Sequence, residues 1–243
     1  MTKANYLIDI NADLGEGFNF DQQLMALITS ANIACGGHAG DTTSMRQTVK
    51  WAKDYGVRIG AHPSYPDKVN FGRQAVQLTK SALTASLTEQ ITDLIKVCDE
   101  LDCQLEYIKP HGALYNKVAV DTTEASVLIN TIKSINPKLA LMTLAGSPLV
   151  DLAKQHNIEV IEEAFADRRY LATGQLSPRS QQGAVIEDVE QVLAQAMAIA
   201  RGQAIATLDN HTYQINAQSL CLHGDNQHAL CSARLICQHL RPK

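Results

Sequence analysis

Leu-Glu-Tyr-Ile-Lys-Pro-His-Gly-Ala-Leu-Tyr-Asn, residues 105–116, is the stretch of sequence that decides the fold. Its first five residues, Leu105–Lys109, form a short run without the polar alternation of a half-exposed sheet, which is typical of a strand covered on both faces. Pro110 ends this run, and His111 and Tyr115 follow it. A buried strand that leads directly into polar side chains is the pattern expected at the carboxyl end of a parallel strand.

Six further runs share this pattern. They are, in chain order, Tyr6–Ile10, Ala31–Cys35, Val57–Ala61, Leu139–Leu144, Glu159–Ala164 and Leu220–His223. Segments with a helical period separate them, which predicts parallel β-α-β units. Seven strands fit either a distorted barrel or an open doubly wound sheet. We favour an α/β fold with a seven-stranded β/α barrel, because polar motifs follow nearly every strand and not only one switch point.

One stretch departs from this alternation. Residues 203–217 carry two strand-like runs, Ala204–Leu208 and Thr212–Ile215, on either side of Asp209-Asn210, which predicts a small hairpin before the last strand. No internal repeat, low-complexity tract or Pro/Ser-rich linker interrupts the sequence. We therefore expect a single β/α-barrel domain over residues 1–243.

Composition disfavours several classes of function. The 243 residues are 45% hydrophobic and 19% charged, with a formal net charge of -4, which is typical of a globular protein. There is no run of Lys and Arg and no basic stripe with aromatic residues, so we expect no nucleic-acid partner. No stretch is apolar over the length of a membrane span, and the N-terminus lacks a signal-peptide core, so we expect a cytoplasmic protein. The six cysteines form no CxxC pair and are expected to be reduced thiols.

Polar side chains cluster where the predicted strands end. They are Asn11, Asp13 and Glu16 after the first strand, His38 after the second, His62 after the third, Lys109 and His111 at the fourth, Asp167 and Arg168 after the sixth, and His223 and Asp225 at the last. Because all strands of a parallel barrel point the same way, these groups should meet at one rim. Histidines and carboxylates brought together repel or desolvate one another, a cost that is tolerated at active sites. Asp41, by contrast, is expected to cap a helix.

Three common motifs are absent from the sequence. It contains no GxxxxGK[ST] phosphate loop, no GxGxxG after the first strand and no GxSxG elbow. Nothing in the sequence therefore indicates a self-contained ATP site, a dinucleotide site or a serine hydrolase.

Six strings of residues, taken in order, resemble those of a known family. They are Ser-Ala-Asn-Ile-Ala-Cys-Gly-Gly-His-Ala-Gly-Asp (30–41), Ile-Gly-Ala-His-Pro-Ser-Tyr-Pro-Asp (59–67), Asn-Phe-Gly-Arg (70–73), Lys-Pro-His-Gly-Ala-Leu-Tyr-Asn (109–116), Phe-Ala-Asp-Arg-Arg-Tyr (165–170) and His-Gly-Asp (223–225). The chain resembles the LamB/YcsF family over nearly its whole length. It departs from the usual family pattern at Gly37, where Phe is usual, and at Gly17, where Ser or a similar residue is usual.

The resemblance implies a seven-stranded β/α barrel of the glycoside hydrolase/deacetylase type. It also implies ATP-dependent cleavage of 5-oxo-L-proline to L-glutamate by 5-oxoprolinase, with ATP as co-substrate. In that enzyme the family supplies the A subunit, and its partners are subunits B and C. On this interpretation the catalytic candidates, among which the general base is left open, are Asp13, His38, His62 and His111. The candidates for substrate binding are Asn11, Lys109, Asp167, Arg168, His223 and Asp225.

Two other interpretations stay open at the level of sequence. His and Asp at barrel strand ends also suit a free-standing, metal-dependent amide hydrolase or deacetylase. Alternatively, the chain is a non-catalytic subunit that binds the substrate and delivers it to its partners. The sequence identifies no metal, and it leaves open whether the chain also forms a homo-oligomer.

Overall fold

Seven parallel strands close into a barrel in the computed structural model, which describes residues 7–222 and 227–240. In barrel order they are β1 (Asp9–Leu14), β2 (Ser30–Ala34), β3 (Arg58–His62), β4 (Leu105–Ile108), β5 (Ala140–Leu144), β6 (Val160–Phe165) and β9 (Ser219–Cys221). Strand β9 pairs with both β6 and β1, which closes the barrel. The predicted seven-stranded β/α barrel is confirmed.

The first strand lies later in the chain than the sequence suggests. The predicted run is Tyr6–Ile10, whose first residue lies outside the described residues, whereas β1 spans Asp9–Leu14. Asn11 is fully buried, and its Nδ2 donates a hydrogen bond to Ser219 Oγ at 2.8 Å. Asn11 and Asp13 therefore belong to the strand and not to the loop after it. The sequence misplaces them because a polar side chain that points into a barrel resembles a loop residue.

Eight helices occur in the described part of the chain. They are α1 (Asp21–Met25), α2 (Thr42–Tyr55), α3 (Lys80–Glu100), α4 (Gly112–Val120), α5 (Thr122–Ile135), α6 (Pro148–Gln155), α7 (Val189–Ala200) and α8 (Gln227–Leu240). As predicted, Asp41 caps α2, because its Oδ1 accepts a hydrogen bond from the Ser44 N–H at 2.8 Å. None of these helices combines the length and the apolar character that crossing a membrane requires.

The strands are covered on both sides, by interior side chains and by the surrounding helices. Every residue of β2 and of β5 is buried. Outside the barrel, β7 (Ala204–Ala206) and β8 (Thr212–Gln214) form an antiparallel pair in the chain between α7 and β9. Since the barrel strands are parallel, their carboxyl ends share one rim, and the polar residues gather there.

Candidate active site

The four residues predicted as catalytic meet at the carboxyl rim of the barrel. Asp13 lies near the end of β1, His38 follows β2, His62 ends β3, and His111 precedes α4. His62 Nε2 lies 2.9 Å from His111 Nδ1 and 3.3 Å from Asp13 Oδ2. The ring of His38 stacks on that of His111, with centroids 3.6 Å apart. The structure thus brings together side chains that are far apart in sequence.

Lys109 connects Asp13 to the interior of the barrel. Its side chain is only 2% exposed, and its Nζ lies 3.0 Å from Asp13 Oδ1, 2.7 Å from Glu163 Oε1 and 3.1 Å from Asn11 Oδ1. Burial alone would lower the pKa of Lys109, but the charges of Asp13 and Glu163 outweigh it and hold that pKa well above its usual value. Lys109 is therefore a permanent cation between two carboxylates.

Asn32 extends these contacts across the barrel. Its Nδ2 donates to Asn11 Oδ1 at 2.7 Å and to Asp13 Oδ1 at 2.8 Å, and its Oδ1 accepts from the Tyr107 hydroxyl at 2.7 Å. We call Asn11, Asp13, Asn32, Lys109 and Glu163 the lysine network. Because its members come from β1, β2, β6 and the end of β4, the register of the strands fixes the position of Asp13.

Glu16 joins the three histidines into a second cluster, which we call the histidine group: Glu16, His38, His62 and His111. Glu16 Oε1 lies 2.9 Å from His38 Nε2, 3.3 Å from His111 Nδ1 and 3.9 Å from His62 Nε2. One ligand atom from each member lies within 4.8 Å of all the others. Imidazole nitrogen and carboxylate oxygen are ordinary metal ligands, so this group is able to hold a metal ion.

Backbone carbonyls fix two of the rings. His62 Nδ1 lies 2.7 Å from the carbonyl oxygen of Lys109, and His111 Nε2 lies 3.0 Å from that of Phe71. A carbonyl oxygen only accepts, so each of these ring nitrogens carries a proton. Burial, followed by the neighbouring His62, lowers the pKa of both His38 and His111 to about 3, so these two rings are neutral near pH 7.

A cavity of 730 Å³ reaches both clusters. The members that line it are Asp13, Glu16, His62, Lys109 and His111. Asp13 is the most exposed of these side chains, at 14%, against 8% or less for the others. A molecule bound in the cavity therefore meets the Asp13 carboxylate more readily than any of the other titratable members.

Three arginines also line the cavity, namely Arg73, Arg168 and Arg179. The Arg168 side chain is held in place because its Nη2 donates to the carbonyl oxygen of Ser177 at 2.7 Å. Burial and the charge of Arg179 lower the pKa of Arg168 to about 10, so it stays cationic near pH 7. This wall of the cavity thus favours an anionic group such as a carboxylate or a phosphate.

The other residues predicted to bind substrate have different surroundings. Asn11 is fully buried and contacts Lys109 instead of the cavity. Asp167 is not among the described residues that line the cavity. His223 and Asp225 lie outside the described residues.

Two carboxylates that shape the site are not among the residues predicted as catalytic or substrate-binding. Glu16 follows the first strand and touches all three histidines of the site. Glu163 falls within the predicted buried run Glu159–Ala164, and its side chain is 0% exposed. The run carries two adjacent glutamates, Glu162 and Glu163, and successive side chains of a strand point to opposite faces, so one of the two must point into the barrel. That pair is the signal that could have identified a buried carboxylate here.

Known proteins resemble this chain over nearly its full length. The LamB/YcsF family model matches residues 8–243. The chain belongs to the LamB/YcsF family. The A subunit of 5-oxoprolinase from Histophilus somni (strain 129Pt) is 45% identical over 236 residues, which cover 97% of this chain and 96% of that protein. The A subunit of 5-oxoprolinase from Haemophilus influenzae (strain PittEE) is 45% identical over 233 residues, covering 96% and 95%.

The crystal structure of the lactam utilization protein from Thermus thermophilus has the same barrel. It matches with a TM-score of 0.89 at 34% sequence identity, covering 96% of this chain and 95% of that one. The likeness therefore extends from the family motifs to the whole arrangement of strands and helices.

At Gly37, where the resemblance led us to expect Phe in this LamB/YcsF barrel, the surrounding residues leave no room for a side chain. A Cβ atom at Gly37 would overlap Gln90 Oε1 and Ser64 Oγ. Gln90, from α3, accepts a hydrogen bond from the Ser64 N–H at 3.0 Å and donates one to the Ser64 carbonyl at 2.9 Å. The space that a larger side chain would need is occupied by this amide, which holds the loop immediately after His62.

Proposed function

We propose that this chain is the A subunit of an ATP-dependent 5-oxoprolinase and that it cleaves 5-oxo-L-proline to L-glutamate together with subunits B and C. The relatives that carry the name of that subunit support this assignment. The observation that carries the chemistry is the position of Asp13. Its carboxylate is partly exposed to the cavity and contacts Lys109 at 3.0 Å and His62 at 3.3 Å.

Opening the lactam poses two separate problems. The ring amide is stabilised, so water must be activated and the carbonyl made more electrophilic. The closed ring is also favoured at equilibrium, and no catalyst changes an equilibrium, so ATP cleavage must drive the reaction. Since the sequence contains no GxxxxGK[ST] loop, the partner subunits are the proposed source of the ATP site and of an activated lactam.

We assign the role of general base to Asp13. Its Oδ1 lies 3.0 Å from the Lys109 Nζ and accepts a hydrogen bond of 2.8 Å from Asn32 Nδ2. A water molecule in the cavity that donates to Asp13 can then be deprotonated as it attacks the lactam carbonyl. The protonated Asp13 can then pass this proton to the ring nitrogen that leaves.

The arginines of the cavity are the proposed binding site for the anionic part of the substrate. 5-Oxoproline carries a carboxylate, and an ATP-activated form of it would carry a phosphate as well. Arg168 stays cationic, lines the cavity and is fixed by Ser177. A guanidinium binds either group through paired hydrogen bonds, which would orient the carbonyl toward Asp13.

The test is glutamate release from 5-oxoproline, measured with and without ATP, for this chain alone and mixed with subunits B and C. We expect glutamate only in the complete mixture with ATP. Asp13→Asn should lower turnover by about 10²–10⁴-fold, the usual contribution of general acid–base catalysis, while the complex still assembles. His111→Ala, which removes the ring 2.9 Å from His62, should also lower turnover without loss of assembly. His211→Ala is the matched control, because it changes an exposed histidine that does not line the cavity, and this variant should turn over normally.

One observation favours a second candidate, a free-standing metal-dependent amide hydrolase: the histidine group is able to hold a metal ion. Robust glutamate production by the isolated chain would support this candidate and overturn the assignment to a multi-subunit enzyme. Normal turnover by the mixture that contains Asp13→Asn would contradict the assignment of the base. Size-exclusion chromatography of each mixture separates loss of chemistry from loss of assembly.

A further inference from the structure

Two ring nitrogens of the histidine group face each other, while the other nitrogen of each ring contacts a backbone carbonyl. His62 donates its Nδ1–H to the Lys109 carbonyl, and His111 donates its Nε2–H to the Phe71 carbonyl. In a neutral ring the other nitrogen is then a bare acceptor. Those two acceptors, His62 Nε2 and His111 Nδ1, face each other at 2.9 Å.

Carboxylates surround the same point. Glu16 Oε1 lies 3.3 Å from His111 Nδ1, and Asp13 Oδ2 lies 3.3 Å from His62 Nε2. Lone pairs and negative charges that converge at such distances repel each other unless a positive charge lies between them. A positively charged species at this point turns every one of these contacts into an attraction.

We propose that Glu16, His38, His62 and His111 bind one divalent transition-metal ion of the zinc type. Tetrahedral sites with bonds of about 2.0–2.1 Å place their ligand atoms about 3.3–3.4 Å apart. The measured separations from Glu16 Oε1 and between His62 and His111, from 2.9 to 3.9 Å, bracket that value. All four ligand atoms lie within 4.8 Å of one another, so rotations of the side chains would have to bring them closer together around an ion.

The outer contacts of two of the three rings, His62 and His111, match those of metal-bound histidines. Such histidines almost always donate their second ring N–H to a carbonyl, a carboxylate or water, which fixes the tautomer. His62 and His111 both do so through backbone carbonyls. The side chain of His38 is fully buried, and its Nδ1 has no hydrogen-bond partner among the described residues.

The donor set selects the class of metal. Three imidazole nitrogens and one carboxylate suit zinc, cobalt or nickel, whereas magnesium and calcium prefer oxygen ligands alone. Glu16, His62 and His111 line the cavity, so the bound ion would face it. A carbonyl or water oxygen in the cavity is the ligand class that would occupy a fifth position on the ion. The site does not depend on the proposed reaction, because metal binding is measurable without substrate or partners.

The experiment is metal binding by the full chain, first freed of metal with a chelator. Isothermal titration with Zn²⁺ should give one site per chain. Titration with Co²⁺ should give the intense visible bands of a four- or five-coordinate ion with nitrogen ligands. Wild-type protein that binds neither ion, or that gives only the weak bands of octahedral hydrated Co²⁺, would overturn the proposal whatever the variants do. A proton shared between His62 and His111 would then be the positive charge at this point.

Variants locate the site. Glu16→Gln and His38→Gln keep the approximate shapes of the side chains. Loss of an outer hydrogen-bond partner of a metal ligand weakens metal binding by about 10–100-fold, and each of these variants should weaken Zn²⁺ binding by more than that. His211→Gln is the control for surface binding, because that side chain is 68% exposed and has Asp209 3.9 Å away. It should bind Zn²⁺ as the wild type does. Correctly folded Glu16→Gln and His38→Gln proteins with wild-type affinity would refute the assignment.

Discussion

Lys109 and His111 are two residues apart in sequence, yet their side chains have opposite surroundings. The Lys109 Nζ lies within 3.1 Å of Asp13, Glu163 and Asn11, so a cation meets acceptors that match it. The His111 Nδ1 lies 2.9 Å from His62 Nε2 and 3.3 Å from Glu16 Oε1. In neutral rings with the tautomers described above, all three of these atoms are hydrogen-bond acceptors. The contacts of the Lys109 cation given above are all to acceptors, whereas the proposed role of the histidine group is to hold an added positive charge.

This difference indicates that the two clusters at the rim have different roles. The lysine network orders the barrel interior and presents Asp13, since its charges and hydrogen bonds are already matched. The proposed role of the histidine group is to bind a metal ion from solution. Breaking the first cluster should therefore cost stability, while filling the second should add it.

The largest effect is expected from Lys109→Met. This change leaves Glu163 and Asp13 as buried or half-buried carboxylates without their cation, which typically costs about 3–5 kcal/mol of stability. The free energy of unfolding, measured by urea denaturation monitored by circular dichroism, should fall by that amount. The double variant Lys109→Met/Glu163→Gln removes one of the uncompensated charges and should be more stable than the single variant. A loss of less than about 1 kcal/mol in Lys109→Met would mean that the network is not matched as described.

Zinc should stabilise the other cluster by an amount that mass action fixes. At a free Zn²⁺ concentration 100-fold above the dissociation constant, the free energy of unfolding of chelator-treated protein should rise by about 2.7 kcal/mol. The measurement is urea denaturation with and without the metal. Glu16→Gln should show little of this increase at the same concentration, and His211→Gln should show all of it. An equal increase in Glu16→Gln would place the stabilising ion elsewhere.

Asp21 anchors the loop that carries Glu16, and it gives a pH-dependent test. Its Oδ2 accepts the Gly15 N–H at 2.7 Å, and burial raises its pKa to about 6. Since the folded pKa exceeds the unfolded value of about 3.9, this group stabilises the fold at low pH and loses that contribution as the pH rises through 6. Asp21→Asn removes the titration while its side-chain oxygen can still accept the hydrogen bond.

The free energy of unfolding of Asp21→Asn relative to the wild type should therefore increase by about 2 kcal/mol between pH 4.5 and pH 8. Chemical denaturation at a series of pH values measures this difference, and all other titrating groups cancel in the comparison. Asp54→Asn, at an exposed position near the end of α2, is the control for a general effect of removing a carboxylate. A difference that stays constant with pH would show that Asp21 titrates in the folded protein as it does in the unfolded chain.

The smallest effect is expected from Tyr107→Phe. The hydroxyl donates to Asn32 Oδ1 at 2.7 Å inside the barrel, and its loss should cost about 1 kcal/mol. The ring itself stays packed against Gly60, where a Cβ atom would overlap it. Tyr55→Phe, at a half-exposed position, should change stability by less than about 0.5 kcal/mol in the same denaturation experiment. Equal losses of stability in the two variants would mean that the Tyr107 hydroxyl does not stabilise the lysine network.

Much of the fold and part of the site could be predicted from the sequence. The six strand runs after the first overlap the observed strands, because strands covered on both faces are rich in apolar residues. The prediction for the first strand is wrong in its position, because the interior side chains Asn11 and Asp13 are polar. Glu163 escapes prediction for the same reason, since a strand assignment does not tell which side chains point into the barrel and what they meet there.

What the sequence by itself determined is that Asp13, His38, His62 and His111 share one rim, because each follows or ends a strand and parallel strands all end on the same side. Only the tertiary structure decided their partners. The strand register places Glu163 2.7 Å from Lys109. The path of the loop after β1 places Glu16 among the three histidines. Contacts of about 3 Å depend on register, rotamer and loop path together, and none of these follows from residue spacing along a chain.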